Sequence, residues 1–217
     1  MTEKLVTKDD LLNKLRAYRT TPDDENILYK QKIKKALLSN PCLLYALNDK
    51  NLESELFDDD GNINWELNEE TGEYESLGEW DRYFGSNSLI RPFLFIPDTQ
   101  TTVKCYMCYQ VGFQDTIRYQ PGLKETQITF TIFVHGDDRM DKLTGIPRHD
   151  LIASIIRERF AWSNIFGMQT HLVSNRESTV DNNYIARTLV FQLVDLNSKI
   201  QTPYGGKSQM TNHQLRR

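Results

Sequence analysis

The fold is decided by one alternating stretch of sequence, Gln127-Ile128-Thr129-Phe130-Thr131-Ile132-Phe133-Val134. Its larger apolar residues recur at every second position, which is the period of a β-strand with two different faces. A similar alternation precedes it between Val103 and Val111, with Cys105, Met107 and Tyr109 on one side. The two stretches predict an antiparallel pair of strands with one buried face and one solvent-exposed face.

A helix is predicted to follow these strands. Between residues 148 and 160 the apolar residues fall at helical spacing, and the stripe consists of Leu151, Ile152, Ile155, Ile156 and Phe160. Residues 169–174 and 184–193 then predict two more strands, joined by a polar exposed loop at 175–183. The sequence therefore predicts an α+β fold of order strand-strand-helix-strand-strand, in which an antiparallel or mixed sheet carries an amphipathic helix on one face.

Short helices are predicted over residues 1–50. Thr7 and Asp10 form a capping signal for the first, Thr21-Pro22 starts the second, and Asn40-Pro41 starts the third. Leucines at 43, 44 and 47 fall on the third helix. We treat these helices as an N-terminal segment that precedes the α+β module.

An acidic segment at 51–87 separates the helices from the module. Between residues 51 and 82 it holds twelve Asp or Glu and a single Arg. Alternation at 62–67 and a turn at 70–73 predict a protruding hairpin arm that buries little of itself. The module spans 88–197, starting with an apolar strand or packed linker at 93–96. A flexible tail at 198–217 completes the chain, with no acidic residue from Lys199 onward.

Bulk composition narrows the class of protein. The 217 residues carry a net charge of −4, and no apolar run approaches the ~20 residues that cross a bilayer. The N-terminus lacks the features of a secretion signal, so we expect the chain to stay in the cytoplasm where it is made. Three cysteines, Cys42, Cys105 and Cys108, are too few for a disulfide scaffold and predict free thiols.

Charge is distributed unevenly along the chain. Residues 1–100 carry 12 Lys or Arg against 20 Asp or Glu, whereas residues 101–217 carry 14 against 10. The basic residues of the second part are scattered over strands, helix and tail. This distribution favours ordinary surface charge over a nucleic-acid-binding stripe.

Two motifs that suggest metal or redox chemistry are incomplete. Cys105 and Cys108 have CxxC spacing, but zinc needs two more ligands, and an offset of three along a strand places the thiols on opposite faces. Asp58-Asp59-Asp60-Gly61 is similar to part of a calcium loop, yet leucines occupy its first and twelfth ligand positions. An acidic turn before the hairpin is the interpretation that fits.

One polar cluster is the basis of an enzymatic alternative. His135, Asp137, Asp138 and Asp141 follow the strand at 127–134 and have the residue types of a metal-dependent hydrolase site. No nucleophile, base and orienting group accompany them, and the chain has neither a phosphate-binding glycine loop nor a Gly-x-Ser-x-Gly elbow. We therefore expect no enzyme, no catalytic residue, no bound metal and no cofactor.

The order of elements resembles a family of virion proteins. The strand at 127–134, the acidic loop, the helix that follows Gly145-Ile146-Pro147, and the last two strands are similar to those of the tail-terminator and neck proteins of tailed bacteriophages. The resemblance covers about 100–197. The N-terminal helices and the acidic arm depart from the compact family pattern, which leaves the position in the neck or tail open.

The resemblance implies a structural protein of the phage neck. Such a protein forms a ring, commonly of six copies, that joins the head connector to the tail and terminates the tail tube. The partners implied are further copies of the chain, a connector-side neck protein and a tail protein, with non-specific proximity to packaged DNA and no membrane. The chain would be made and assembled in the host cytoplasm and reside in the virion.

Candidate interface residues lie in the acidic arm and the basic tail. We expect the arm to reach a basic neighbour and the tail to extend onto another subunit or toward packaged DNA. The candidate interface residues are Asp58, Asp59, Asp60, Trp65, Tyr74, Trp80, Tyr204, Arg216 and Arg217.

Overall fold

The fold is an α+β arrangement in a computed structural model that describes residues 7–20, 25–68, 73–76, 80–85, 88–95, 105–116, 123–180, 183–196, 199–201 and 207–209. Its helices are α1 (Lys8–Thr20), α2 (Glu25–Leu38), α3 (Pro41–Ala46), α4 (Lys50–Leu56) and α5 (Arg148–Phe160). Short 3₁₀ turns occupy Trp80–Tyr83 and Gly136–Asp138.

The strands of the described residues form one large sheet and two hairpins. The hairpins pair β1 (Trp65–Asn68) with β2 (Glu73–Ser76) and β8 (Lys199–Gln201) with β9 (Lys207–Gln209). The large sheet contains β3 (Ile90–Arg91), β4 (Cys105–Thr116), β5 (Leu123–His135), β6 (His171–Thr179) and β7 (Tyr184–Leu196). Its spatial order is β3-β4-β5-β7-β6, and every neighbouring pair is antiparallel except β3 with β4.

One hydrophobic core lies between this sheet and the helices. Ile128, Phe130, Ile132 and Val134 point from β5 to the side where Ile156 and Phe160 of α5 lie, and all six side chains are buried. The helix begins at Arg148 and ends at Phe160, as its apolar spacing predicts. The strand-strand-helix-strand-strand order is therefore confirmed.

The N-terminal helices contribute to the same core. Tyr29, Ile33 and Leu37 of α2 are buried in it, together with Leu43 and Leu44 of α3. Asn40 caps α3 by accepting a hydrogen bond from the Leu43 N–H at 3.1 Å, as predicted. Thr7 and Asp10 form the predicted capping box of α1, whose Leu11 and Leu15 are exposed. Residues 21–24, where the second start signal falls, lie outside the described residues.

The acidic segment is less extended than its composition suggests. Its beginning folds as α4, which the sequence analysis missed, and Leu52 and Leu56 of that helix are buried. Asp49 caps α4 by accepting hydrogen bonds from the N–H groups of Asn51 and Leu52. The predicted hairpin is present as β1 and β2.

The opposite face of the sheet is partly buried, so the prediction of a solvent-exposed face is wrong at one end. Tyr106, Cys108, Phe133, Tyr184 and Ala186 form a second, smaller cluster there. Phe95 lies edge-on to the Tyr106 ring, and the Arg91 guanidinium lies 3.9 Å from the Phe95 ring centre. Arg91 and Phe95 therefore stack over the Tyr106 side of the sheet and cover aromatic surface that would otherwise contact water.

One expectation about the strands is resolved and another is corrected. Of the two alternatives for 93–96, the described residues 93–95 form a linker, in which Phe95 packs on the smaller cluster while Phe93 and Leu94 are exposed. The short strand precedes them at Ile90–Arg91. The segment predicted as a polar loop at 175–183 is mostly strand, because β6 continues to Thr179. It is an exposed edge strand, which explains why its composition is polar.

Replacement of Ile156 tests the packing of α5 on the sheet. Ile156 is 1% exposed, so an aspartate there buries an unpaired carboxylate among apolar side chains. We expect Ile156→Asp to abolish cooperative folding. Thermal unfolding followed by circular dichroism measures this, with Ile155→Asp as a milder control because Ile155 is only partly buried. A cooperative melt of Ile156→Asp near the wild-type temperature would contradict the packing.

Candidate functional site

A buried arginine organises the loop that contains the predicted hydrolase cluster. Arg148, the first residue of α5, is 3% exposed. Its Nε lies 3.1 Å from the Asp138 carboxylate, and its Nη1 lies 3.4 Å from that of Asp141. Nη1 also donates to the Ala46 carbonyl at 3.0 Å, at the end of α3. The guanidinium thus joins the β5–α5 loop to the N-terminal helices.

The Asp141 carboxylate has a second structural role. It accepts hydrogen bonds from the Thr144 hydroxyl at 2.7 Å and from the Thr144 N–H at 2.8 Å. These bonds, the hydroxyl first, hold the pKa of Asp141 below its usual value, and the nearby Arg148 charge acts in the same direction. Asn48 donates to Asp138 at 2.7 Å, so that carboxylate also holds α3 to the loop.

The predicted cluster therefore does not surround an open metal position. Asp138 and Asp141 face Arg148, while His135 accepts a hydrogen bond from the Asp137 N–H at 3.3 Å. A cation that used both of the arginine-paired carboxylates would displace a buried guanidinium. The four residue types suggested hydrolysis, but Asp138 and Asp141 instead have a structural role. Together with Arg148 and the Ala46 carbonyl they form what we call the Arg148 clamp.

A different group brings together possible metal ligands. His149, Asp150 and Glu177 place one ligand atom each within 4.8 Å of one another, and they are the one such group in the part of the chain that the structure describes. Arg187 of β7 lies 3.3 Å from Asp150 and 3.4 Å from Glu177. The cation between these carboxylates is therefore an arginine. Sequence reasoning missed the group because its members come from two elements, α5 and β6, that are far apart in the chain.

The two cysteines of the CxxC motif lie on opposite faces of β4, as their spacing predicts. Cys105 belongs to the main core and Cys108 to the smaller cluster. Burial raises the pKa of Cys105 to about 12 and raises the pKa of Cys108 as well. Thiols in this state are poor nucleophiles and metal ligands. All three cysteines are free, and Cys42 is exposed.

The acidic turn at 58–62 uses one aspartate to shape itself. Asp58 accepts hydrogen bonds from the N–H groups of Asp60 and Asn62, and the Asn62 bonds lower the pKa of Asp58. Gly61 has φ +82°, which favours glycine. Asp59 and Asp60 are exposed, so their charge is available to a partner.

The other predicted interface residues are placed less completely. Trp65, Tyr74 and Trp80 belong to β1, β2 and the first 3₁₀ turn by their backbone, and their side chains lie outside the described residues. Tyr204, Arg216 and Arg217 also lie outside the described residues. Their proposed roles stay predictions.

An apolar groove opens beside the acidic turn. This α3–α5 groove encloses about 320 Å³. It is lined mainly by side chains of α3, α5, the acidic turn and the β5–α5 loop, among them Tyr45, Phe57, Ile63, Leu143, Leu151 and Ile155. Leu143 is 78% exposed at the edge of this groove. The groove was not predicted, because it depends on α3 and α4 packing against α5.

Two edges of the large sheet lack a strand partner among the described residues. At one edge, β6 pairs with β7 alone, and at the other, β3 covers only Met107 and Cys108 of the twelve-residue β4. A bulge limits each open run, between Leu172 and Ser174 in β6 and between Phe113 and Asp115 in β4. The regular open runs are therefore short and of similar length, 174–179 and 109–113.

Comparison with known proteins assigns the family. The family model described as YomW matches residues 40–193, which include the groove, the Arg148 clamp and both open edges. The chain belongs to the YomW family. YomW is the name of a Bacillus phage-related protein of the SPbeta type, which indicates a phage origin for this YomW-family chain. No curated protein matches it. No described helix is long and apolar enough to cross a membrane.

Replacement of Thr144 tests whether the ionised Asp141 carboxylate stabilises the clamp, because the effect on the free energy of unfolding should depend on pH. Because folding lowers the pKa of Asp141, this carboxylate adds stability above its unfolded pKa of about 3.9, and that stability is lost as the pH falls through the lower folded value. We expect Thr144→Val to lower the free energy of unfolding by about 2 kcal/mol at pH 7 and by progressively less below pH 4.

Urea unfolding at pH 7 and at pH 3 measures both effects. Thr179→Val is the matched control, since Thr179 is exposed on β6. A Thr144→Val cost that stays the same at both pH values would contradict the role of the Asp141 charge.

Proposed function

We propose that this YomW-family protein is a structural component of the phage neck. In the proposal it forms a ring that joins the head connector to the tail and terminates the tail tube. The phage origin of the family and the similarity of residues 100–197 to tail-terminator and neck proteins support it. The chain would assemble in the host cytoplasm and reside in the virion.

The pair of open sheet edges is the observation that carries the proposal. Each step from β4 through β5 and β7 to β6 is antiparallel, so β4 and β6 run in opposite directions. When neighbouring copies point the same way along the strand direction, β6 of one copy can therefore pair in antiparallel fashion with β4 of the next. Edge strands present unpaired N–H and C=O groups that such pairing satisfies.

Pairing of two different edges is a head-to-tail contact. A contact of this type repeats from copy to copy and closes into a ring when the rotation per copy divides a full turn. The short open runs set by the two bulges favour one register over sliding along a long edge. The number of copies, six, comes from the resemblance alone.

The remaining partners follow from the same resemblance. A connector-side neck protein and a tail protein would contact the two rims of the ring, and packaged DNA would pass nearby. We propose no catalytic role, since arginine occupies both polar clusters described above. The proposal thus assigns function to edges and surfaces rather than to a catalytic centre.

Proline substitutions in β6 test the ring. Neighbouring N–H groups of a strand point to opposite sides, so of Asn175 and Arg176 one donates toward β7 and the other outward. We expect the wild-type chain to form a ring, about 152 kDa for six copies of 25.4 kDa. Proline at the residue whose N–H points outward should reduce the mass to that of the monomer and lower the melting temperature less than proline at the other residue does.

Proline at the residue whose N–H donates to β7 is the internal control. It removes a hydrogen bond within the sheet and so lowers the melting temperature. Native mass spectrometry gives the mass, and circular dichroism gives the melting temperature. A monomeric wild-type chain at every concentration would contradict the proposal. So would an intact ring in the variant whose melting temperature falls less.

A further inference from the structure

The α3–α5 groove is an apolar feature that the proposed ring contact leaves unused. Its exposed apolar side chains, Leu143 at 78% and Ile63 at 47%, lie beside the enclosed volume of about 320 Å³. Tyr45 and Phe57 meet edge-on at 6.1 Å in its wall. Such a concave apolar surface is suited to one or two apolar side chains of an extended segment.

The rim of the groove is acidic on one side. Phe57 and Ile63 line the groove, and they flank the exposed carboxylates of Asp59 and Asp60 in the chain. Glu53 of α4 is also exposed, and it lies with Lys50 and Lys142 toward the β5–α5 loop. A ligand that combines an apolar side chain with neighbouring positive charge therefore matches the groove and its rim.

The chain itself contains a segment of this chemistry. Residues 199–217 carry Lys199, Lys207, Arg216 and Arg217 without any Asp or Glu. Within them, residues 210–217 place Leu215 directly before Arg216 and Arg217. We propose that the α3–α5 groove binds residues 210–217 of a second copy, with Leu215 in the groove and the two arginines on Asp59 and Asp60. This docking rests on the proposed ring, since it links neighbouring copies.

Distance favours a second copy over the same chain. The groove loop follows His135, which pairs with Tyr184 at the start of β7, whereas the tail leaves β7 at Leu196. A strand of thirteen residues spans about 40 Å. The β8–β9 hairpin pairs Gln209 with Lys199 and so returns the chain toward Leu196. Leu215 is six residues beyond Gln209 and so extends at most ~22 Å from it, about half the length of β7.

A labelled peptide of residues 207–217 tests the docking by fluorescence anisotropy. The receiving protein is the full chain with Leu215→Asp, so that its own segment does not compete for the groove. We expect saturable binding that weakens at least tenfold when Leu143→Asp is added to the receiver. The matched control is Met168→Asp, also at an exposed apolar residue but outside the groove lining, which should change the affinity less than twofold.

Charge exchange tests the second part of the contact. Asp59→Arg with Asp60→Arg in the receiver should weaken binding about fivefold at low salt. A peptide with Arg216→Asp and Arg217→Asp should recover that loss on the altered receiver and bind the original receiver poorly. Absence of recovery would overturn the assigned charge contact.

The results separate this docking from the ring. A wild-type ring together with no peptide binding, or with binding that Leu143→Asp leaves unchanged, overturns the docking and leaves the ring intact. A monomeric wild-type chain whose receiver variant still binds the peptide through Leu143 supports the groove and overturns the ring.

Discussion

The structure depends on the need to cover the apolar face of β5. Ile128, Phe130, Ile132 and Val134 form a continuous strip that one helix covers only in part. Burial of each such side chain is worth about 1.5–3 kcal/mol, so additional cover stabilises the fold substantially. Helices α2, α3 and α4 supply it, which makes the N-terminal helices part of the main core. The α3–α5 groove lies where side chains of α3, α4 and α5 leave space between them.

The Arg148 clamp fixes the boundary between these layers. A buried guanidinium costs free energy unless its donors are satisfied. Here Arg148 donates to the backbone carbonyls of Asp138 and Ala46 and to the Asp141 carboxylate, and the Asp138 carboxylate lies 3.1 Å from its Nε. Ala46 is at the end of α3, so the clamp also satisfies a helix terminus. In this fold the acidic residues after β5 serve packing. Their sequence pattern resembles a hydrolytic site because both uses require buried or half-buried carboxylates on a loop.

The elements that sequence predicted well are those with a strong period. Helix α5 and strands β5 and β7 follow from spacing alone, since their apolar faces are decided within each element. Helix α4 was missed because its glutamates dominated the composition, although Leu52 and Leu56 have helical spacing. The smaller aromatic cluster depends on the linker residues Arg91 and Phe95 contacting β4. No local pattern shows such a contact.

The candidate sites also divide into those that local sequence indicates and those that depend on contacts between distant elements. The acidic turn was visible because Asp58, Asp59 and Asp60 are adjacent in sequence, and the opposite facing of Cys105 and Cys108 followed from strand geometry. The groove and the His149, Asp150, Glu177 and Arg187 cluster were not visible, because each depends on several elements meeting in space. The open edges likewise require the spatial order of strands, since β7 returns between β5 and β6.

Cross-linking between neighbouring copies tests edge-to-edge assembly. Gln110 of β4 and Arg176 of β6 are exposed and lie on the same face of the sheet. With Cys42→Ser to remove the exposed thiol, Gln110→Cys and Arg176→Cys in one chain should react with a short bismaleimide. We expect a ladder of covalent species that ends at the ring, whereas either single cysteine alone should give no ladder, because identical positions of neighbouring copies lie a sheet width apart. A doubly substituted, folded chain that remains monomeric after treatment would contradict edge-to-edge assembly.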